Sequence, residues 1–403
     1  MTTLSERILG ACAGEYVDRL VDRAFAHDGT GVLALEAFRE MGRTVPAFPE
    51  RISIFFDHLA PANNSQTATL QAELRDFAIE CGLHFSDVGE GICHQLMSEG
   101  RALPGEIVVG ADSHSCTAGA FGAFATGVGA TDMAAIWAGG STWFRVPETT
   151  AIQLEGSLTG AAEAKDLALT YVGRLGMDGA TYRALEFTGE GASAIAMEGR
   201  LTLTNMAIEA GAKTGLFYAD NITRRYLAEY GHDVTMQVPR DPDYAQEMVI
   251  NLDDIVPVLS IPHRVDTIAD VTDYEGTPLD QVFVGTCTNG RYSDIERFAA
   301  LIRGKKVKTR TIVVPASRDV LLRAGRTGVL TDLIEAGCIV GPPGCGPCLG
   351  MHMGVLGEGE VALSTANRNF RNRMGVGAEY YLGSVATAAA SALAGGICAP
   401  EVP

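Results

Sequence analysis

Short apolar, β-branched runs that stop abruptly at polar residues recur along this chain. Ile52-Ser53-Ile54-Phe55-Phe56 ends at Asp57-His58, and Ile107-Val108-Val109 leads into Asp112-Ser113-His114. Val282-Phe283-Val284 precedes Cys287, and Val361-Ala362-Leu363 precedes Asn367-Arg368. Runs of this kind predict parallel strands buried on both faces, and ligands of open α/β sheets gather beyond the carboxyl ends of such strands. The polar residues after each run are therefore expected to meet in one cleft. Between the runs the period becomes helical. From Ser293 to Leu301, the residues Ile295, Phe298, Ala299 and Leu301 fall on one side, and Ser317 is set to cap a helix holding Val320, Leu321 and Leu322.

Alternation of strand and helix predicts layered α/β domains with mostly parallel sheets. A chain of 403 residues is too long for one compact core. Breaks near Pro147 and within the proline-spaced stretch Pro257 to Pro262 divide it into three expected α/β domains, 1–148, 149–262 and 263–403. The first and last thirds share one pattern of runs and polar stops, which suggests a degenerate duplication. No solenoid-length repeat is visible.

Composition narrows the function. A net charge of −18 speaks against a nucleic-acid surface, which needs basic stripes. No apolar stretch approaches the length of a membrane span, and the residues after Met1 lack the apolar segment of a secretory leader. Nine cysteines, an odd number at low density, do not read as a disulfide framework, so a reducing cytoplasm is expected.

Three of those cysteines carry the most information: Cys287 in Gly285-Thr286-Cys287-Thr288-Asn289-Gly290, and the pair in Gly344-Cys345-Gly346-Pro347-Cys348-Leu349-Gly350. Structural zinc takes four ligands and a fully ligated iron–sulfur cluster four thiolates, so three clustered thiols point to a cubane with one iron open to substrate. The glycines permit close backbone approach and Pro347 fixes the turn. A zinc half-site of Cys345 and Cys348 with His352 is the competing reading. The remaining cysteines read as buried thiols.

The strings DSHSCTAGAFG, TNMAIEAGA, GTCTNGR, GCGPCLG and STANRNF, in this order from His27 to the C-terminus, resemble the aconitase superfamily in the form used by the large subunits of isopropylmalate isomerase and homoaconitase. The resemblance implies that Cys287, Cys345 and Cys348 bind a [4Fe–4S] cluster. It implies that Asp57 and His58 form an acid pair in which the carboxylate orients the imidazole. His94, Asp112, Ser113 and His114 would surround the open iron and the substrate hydroxyl. Glu209 would contact the iron-bound hydroxyl or water, with Asn205, Asn289 and Asn367 around the cluster. Arg368 and Arg373 would hold the carboxylates of a hydroxy di- or tricarboxylate, a task suited to planar guanidinium groups. His27 and Asp28 would lie near substrate.

Each assignment has a structural alternative. A histidine after an aromatic run can be a satisfied core residue, Asn205 can cap a helix, and His27-Asp28-x-Thr30 can be an Asx turn. Arg368, Arg371 and Arg373 can be a solvated cluster. The resembled family also has glycine two places after the phenylalanine of Asn-Arg-Asn-Phe, where this chain has Asn372 between Arg371 and Arg373. Its catalytic serine lies on a swivelling domain that is a separate small subunit in two-chain members. The implied function is the large subunit of a hydro-lyase interconverting 2-hydroxy and 3-hydroxy acids, isopropylmalate first among its substrates, incomplete without the small subunit.

Overall fold

The computed structural model describes residues 2–401. Three main sheets organise it. The first runs in the order His84–Ser86, Ile52–Phe55, Arg23–His27, Ile107–Gly110, Phe124–Gly127, every pair parallel. The chain begins this sheet at its middle strand, winds outward to one edge and returns to the other side. That reversal opens a crevice at the carboxyl ends of the central strands, where His27, Asp57 and Asp112 emerge.

The third sheet repeats the arrangement. Its parallel part runs Ile339–Val340, Arg310–Val313, Gln281–Val284, Val361–Ser364, Glu379–Leu382, again starting from the middle strand. Cys287 follows the middle strand and Asn367 its neighbour across the reversal. The shared order is what the duplicated run pattern suggested. Val258–Ser260 and Ile268–Asp270 extend this sheet antiparallel. Val258–Ser260, within the proline-spaced stretch where a boundary is expected, lies between Ile268–Asp270 and Glu379–Leu382 in this third sheet. Between the two lies a parallel sheet of Thr214–Leu216, Ala184–Thr188, Thr149–Glu155 and Gln246–Asn251.

One apolar core passes through all three units. It joins Phe25 and Phe55 of the first sheet, Ile152 and Phe187 of the second, and Phe283 and Ile312 of the third, and it includes Cys287, Cys345 and Cys348. Backbone bonds close the seams: the Cys345 N–H donates to Asp57 O at 2.8 Å and the Ile92 N–H to Ala316 O at 2.8 Å. The expected helix spans Tyr292–Ile302 and buries Ile295, Phe298, Ala299 and Ile302. Ser317 caps Arg318–Arg326 through its Oγ, with Val320 and Ala324 inward and Leu322 left exposed. Among the described residues no helix is long and apolar enough to cross a membrane.

The short helix Ser113–Phe121, which carries the Asp112-Ser113-His114 motif, rests directly on the second unit. A Cβ at Gly119 would stand 1.8 Å from the carbonyl oxygen of Gly215, which cannot yield as a side chain could. Gly119→Ala is expected to destabilise the chain by about 3 kcal/mol. Gly139→Ala, where a Cβ meets nothing, should be neutral or stabilising by up to about 1 kcal/mol. Urea midpoints of the two variants check the pair.

Candidate active site

The strand ends of the first and third sheets face each other across a cavity of about 80 Å³. On one side it is lined by His58, His94, Asp112, Ser113 and His114, and on the other by Cys287, Cys345, Cys348, Asn367, Arg368 and Arg373. Asp57, His27, Asp28, Asn205, Glu209 and Asn289 are not in its lining.

On the first-sheet side, Asp112 is the hub. Its Oδ1 lies 2.7 Å from His94 Nε2 and accepts from the His114 N–H at 2.8 Å, while Oδ2 lies 3.7 Å from both His58 Nε2 and His27 Nε2. Burial would raise this carboxyl, but the neighbouring His94, His114 and His58 outweigh burial and hold it well below the usual carboxylate range. Asp57 is fully enclosed: Oδ1 meets His58 Nδ1 at 2.7 Å and Oδ2 accepts from the Cys93 N–H at 2.7 Å. Burial opposes the imidazolium of His58, yet the Cys345 sulfur and Asp57 together keep it well above the ordinary histidine range. His27 stacks on His58 with ring centroids 3.6 Å apart, and burial plus the His58 charge pull it down to about 4. The two stacked rings are thus shifted in opposite directions.

Asp28 has a different job from the substrate contact expected of it. Its oxygens accept from the N–H groups of Asp57, His58 and Leu59 and from Gln71 Nε2, which occupies the carboxylate. It shapes the turn that presents His58.

The third-sheet side gathers sulfur and guanidinium. Thr286, immediately before Cys287, has φ of 77°, a conformation costly for a β-branched residue and a mark of a turn fixed by its surroundings. Asn205 Nδ2 donates to Cys287 Sγ at 3.2 Å and Asn367 Nδ2 to the same sulfur at 3.4 Å. Arg373 Nη2 approaches Cys348 Sγ at 3.7 Å. Three donors aimed at two sulfurs suit thiolates, since a neutral thiol is a weak acceptor. Asn205 lies at the end of the helix Met197–Met206, so it does not cap a helix start. The helix tightens over Ala207–Ala210, which turns Glu209 towards His114 Nε2 at 2.9 Å and Arg368 Nε at 2.8 Å. Asn289 sits one layer back, donating to Asp294 and Thr202.

The three thiols do not converge as a ligand set for a single ion. A tetrahedral ion with bonds of about 2.3 Å would draw its thiolates to within about 4 Å of one another. Among the described residues, the sets of three or more ligand atoms lying within 4.8 Å of each other are His94 with His114 and Cys287, and His27 with Asp28, Asp57 and His58; neither unites the three thiols. His352, the expected extra zinc ligand, is bonded through Nε2 to Pro61 O. Gly344, whose Cβ would lie 3.1 Å from Asp57 O, lets the Cys345 loop approach the first sheet.

Arg371 is exposed, so of the three arginines only Arg368 and Arg373 turn inward. Asn372 adopts φ of 65° and accepts from the Gly377 N–H, so asparagine serves here in the left-handed conformation for which the resembled family uses glycine. Sequence reasoning passed over Arg291, whose buried guanidinium donates to the carbonyls of Cys287 and Thr288 at 2.6 and 2.5 Å. Its signal was present as the last letter of the GTCTNGR motif.

The Aconitase family (aconitate hydratase) matches residues 6–395. The chain is 54% identical over 385 residues to a probable methanogen homoaconitase large subunit of Methanosarcina mazei, covering 94% of this chain and 98% of that protein. It is 47% identical to a 3-isopropylmalate dehydratase large subunit of Archaeoglobus fulgidus, covering 99% of both, and 45% identical to one of Thermotoga maritima, again covering 99% of both. In fold it is similar to the crystal structure of Thermococcus kodakaraensis aconitase X, with a TM-score of 0.53 at 12% identity over 87% of this chain and 84% of that one. With a family match over residues 6–395 and relatives about half identical from end to end, the chain belongs to the aconitase family.

Proposed function

We propose that this chain is the cluster-bearing large subunit of a two-chain hydro-lyase that isomerises 3-isopropylmalate by dehydration and rehydration. The observation that carries the reading is the opposition, across one cavity, of three buried sulfurs and two inward arginines to His58, which Asp57 holds from behind. Three thiols lining one cavity, side-chain donors on the sulfurs and the glycine-lined loop all suit a [4Fe–4S] cluster held by Cys287, Cys345 and Cys348. When bound, that cluster supplies an open iron acting as a Lewis acid towards the hydroxyl and a carboxylate of the substrate.

The chain's own residues supply the rest. Arg368 and Arg373 bind the carboxylates by charge-assisted hydrogen bonds. His58 gives its Nε2 proton to the departing hydroxyl, while Asp57 holds Nδ1–H and fixes the tautomer. Asp112, His94, His114 and Glu209 hold the released water by hydrogen bonds, ready for return to the adjacent carbon. Removal of the carbon-bound proton requires a base, and the family resemblance assigns it to a serine of a small swivelling subunit. A hydroxy tricarboxylate of the homoaconitase type is the second reading, favoured by the 54% identity to the Methanosarcina mazei protein. The nine free thiols are compatible with a reducing cytoplasm.

Four outcomes are expected. Anaerobically reconstituted chain should be brown with about four irons, and Cys287→Ser, Cys345→Ser or Cys348→Ser should each abolish the cluster while Cys338→Ser does not; colourless protein with stoichiometric zinc would refute the assignment. Loaded chain alone should fall below an ordinary enzymatic rate of about 1 per second, and added small subunit should restore turnover. Assays on isopropylmalate and homocitrate then choose between the two substrates, and Arg368→Ala should abolish activity on either. Because His58 is raised, its proton and its stabilising ion pair are fully present below its unfolded value near 6.5 and are lost as pH rises through the folded value. Asp57→Asn should therefore move the alkaline limb of the kcat profile to lower pH.

A further inference from the structure

Lys165 occupies the first turn of the helix Ala164–Leu175 and is 1% exposed, a rare condition for a lysine. Its ammonium donates to the carbonyl oxygens of Thr365 and Ala366 at 2.6 and 2.5 Å. Those carbonyls end the strand Val361–Ser364, immediately before Asn367 and Arg368. The same turn is stitched to the turn of Cys287, since Thr365 Oγ1 donates to Gly285 O at 3.2 Å and accepts from the Gly285 N–H at 3.1 Å. A lysine of the second unit thus grips the segment that presents a sulfur-bonding asparagine and a carboxylate-binding arginine.

Among the described residues this ammonium forms no direct ion pair with a carboxylate, its hydrogen bonds going to the two carbonyls. The adjacent Asp166 is spent on the N–H groups of Glu163 and Val258, and burial with Glu163 nearby pushes it up to about 8. Burial outweighs the nearby Asp166 and Asp294 and pulls Lys165 down to about 7. The sulfurs of Cys287 and Cys348 are among the nearby groups that favour its charged form. Three thiolates around an iron–sulfur core leave it a net anion, the counter-charge this site otherwise lacks.

We propose that Lys165 is a positioning residue that clamps the Asn367–Arg368 turn and serves as the buried countercation of the cluster. The proposal rests on the cluster reading given above. It assigns a function to a residue that touches neither substrate nor iron. A cavity of about 380 Å³ between the second and third units is bordered by Lys165, Thr202, Asn289 and Asp294, so loss of the ammonium would open the rear of the Cys287 turn to water.

The test compares Lys165→Met with Lys165→Arg in reconstituted protein with the small subunit present. Lys165→Met should load the same iron but show a more negative midpoint potential by EPR-monitored titration, faster bleaching in air, and at least tenfold lower kcat/KM. Lys165→Arg, which keeps the charge, should retain a potential close to that of the unaltered chain. A loaded Lys165→Met with unaltered potential and bleaching rate would overturn the proposal, and equal potentials in both variants with equal losses in urea stability would reduce Lys165 to core filling. Where Lys165→Met does not fold, Lys165→Gln supplies the same uncharged comparison. Absence of any cluster in the unaltered chain would instead defeat the cluster reading itself.

Discussion

Charge confined in a place with almost no water is the constraint on which this structure turns. Three sheets meet at one junction, and there the chain buries carboxylates, imidazoles, guanidinium groups, thiols and an ammonium within a single apolar core. Isolated, each would be prohibitively expensive, and each is instead assigned a partner of opposite character or a set of backbone dipoles. Asp112 is answered by histidines, Glu209 by His114 and Arg368, and Asp28 by three backbone N–H groups. The polar network in turn dictates how the sheets are docked, because a shift of one unit would strand charges in another.

Rigidity follows from that docking. The Cys345 N–H bond to Asp57 O joins a sulfur-bearing loop to an acid-bearing turn through the backbone, so the separation of the two does not depend on side-chain rotamers. Preorganisation of this kind is what a dehydration needs, since the acid, the carboxylate clamps and the departing hydroxyl must be aligned before the proton moves.

Much of this was legible in the sequence because buried parallel strands advertise themselves as apolar runs and the chemistry follows each run directly. The strand ends at Phe55, Gly110, Val284 and Ser364 fall where the run pattern predicts, and the residues after them converge. What escaped notice depends on contacts distant in sequence. Lys165 sits in Glu163-Ala164-Lys165-Asp166, which reads as a solvated helix start, and only the packing of the third unit over that helix buries it. Asp28 was taken for a ligand-facing carboxylate because nothing local reveals that the next loop aims its N–H groups at it. The stretch from Pro257 to Pro262 reads as a boundary, and nothing local reveals that its Val258–Ser260 pairs with Glu379–Leu382, more than a hundred residues later.

The common strand order of the first and third sheets has a meaning beyond ancestry. Equivalent positions at the two reversals carry unlike chemistry: His27 and Asp112 in one sheet correspond to the Cys287 turn and Asn367 in the other. The same strand order is used twice and set face to face, with histidines and carboxylates at one reversal and thiols, an asparagine and guanidinium groups at the other. Each half is incomplete by itself, and the reaction exists only in the gap between two copies of one design.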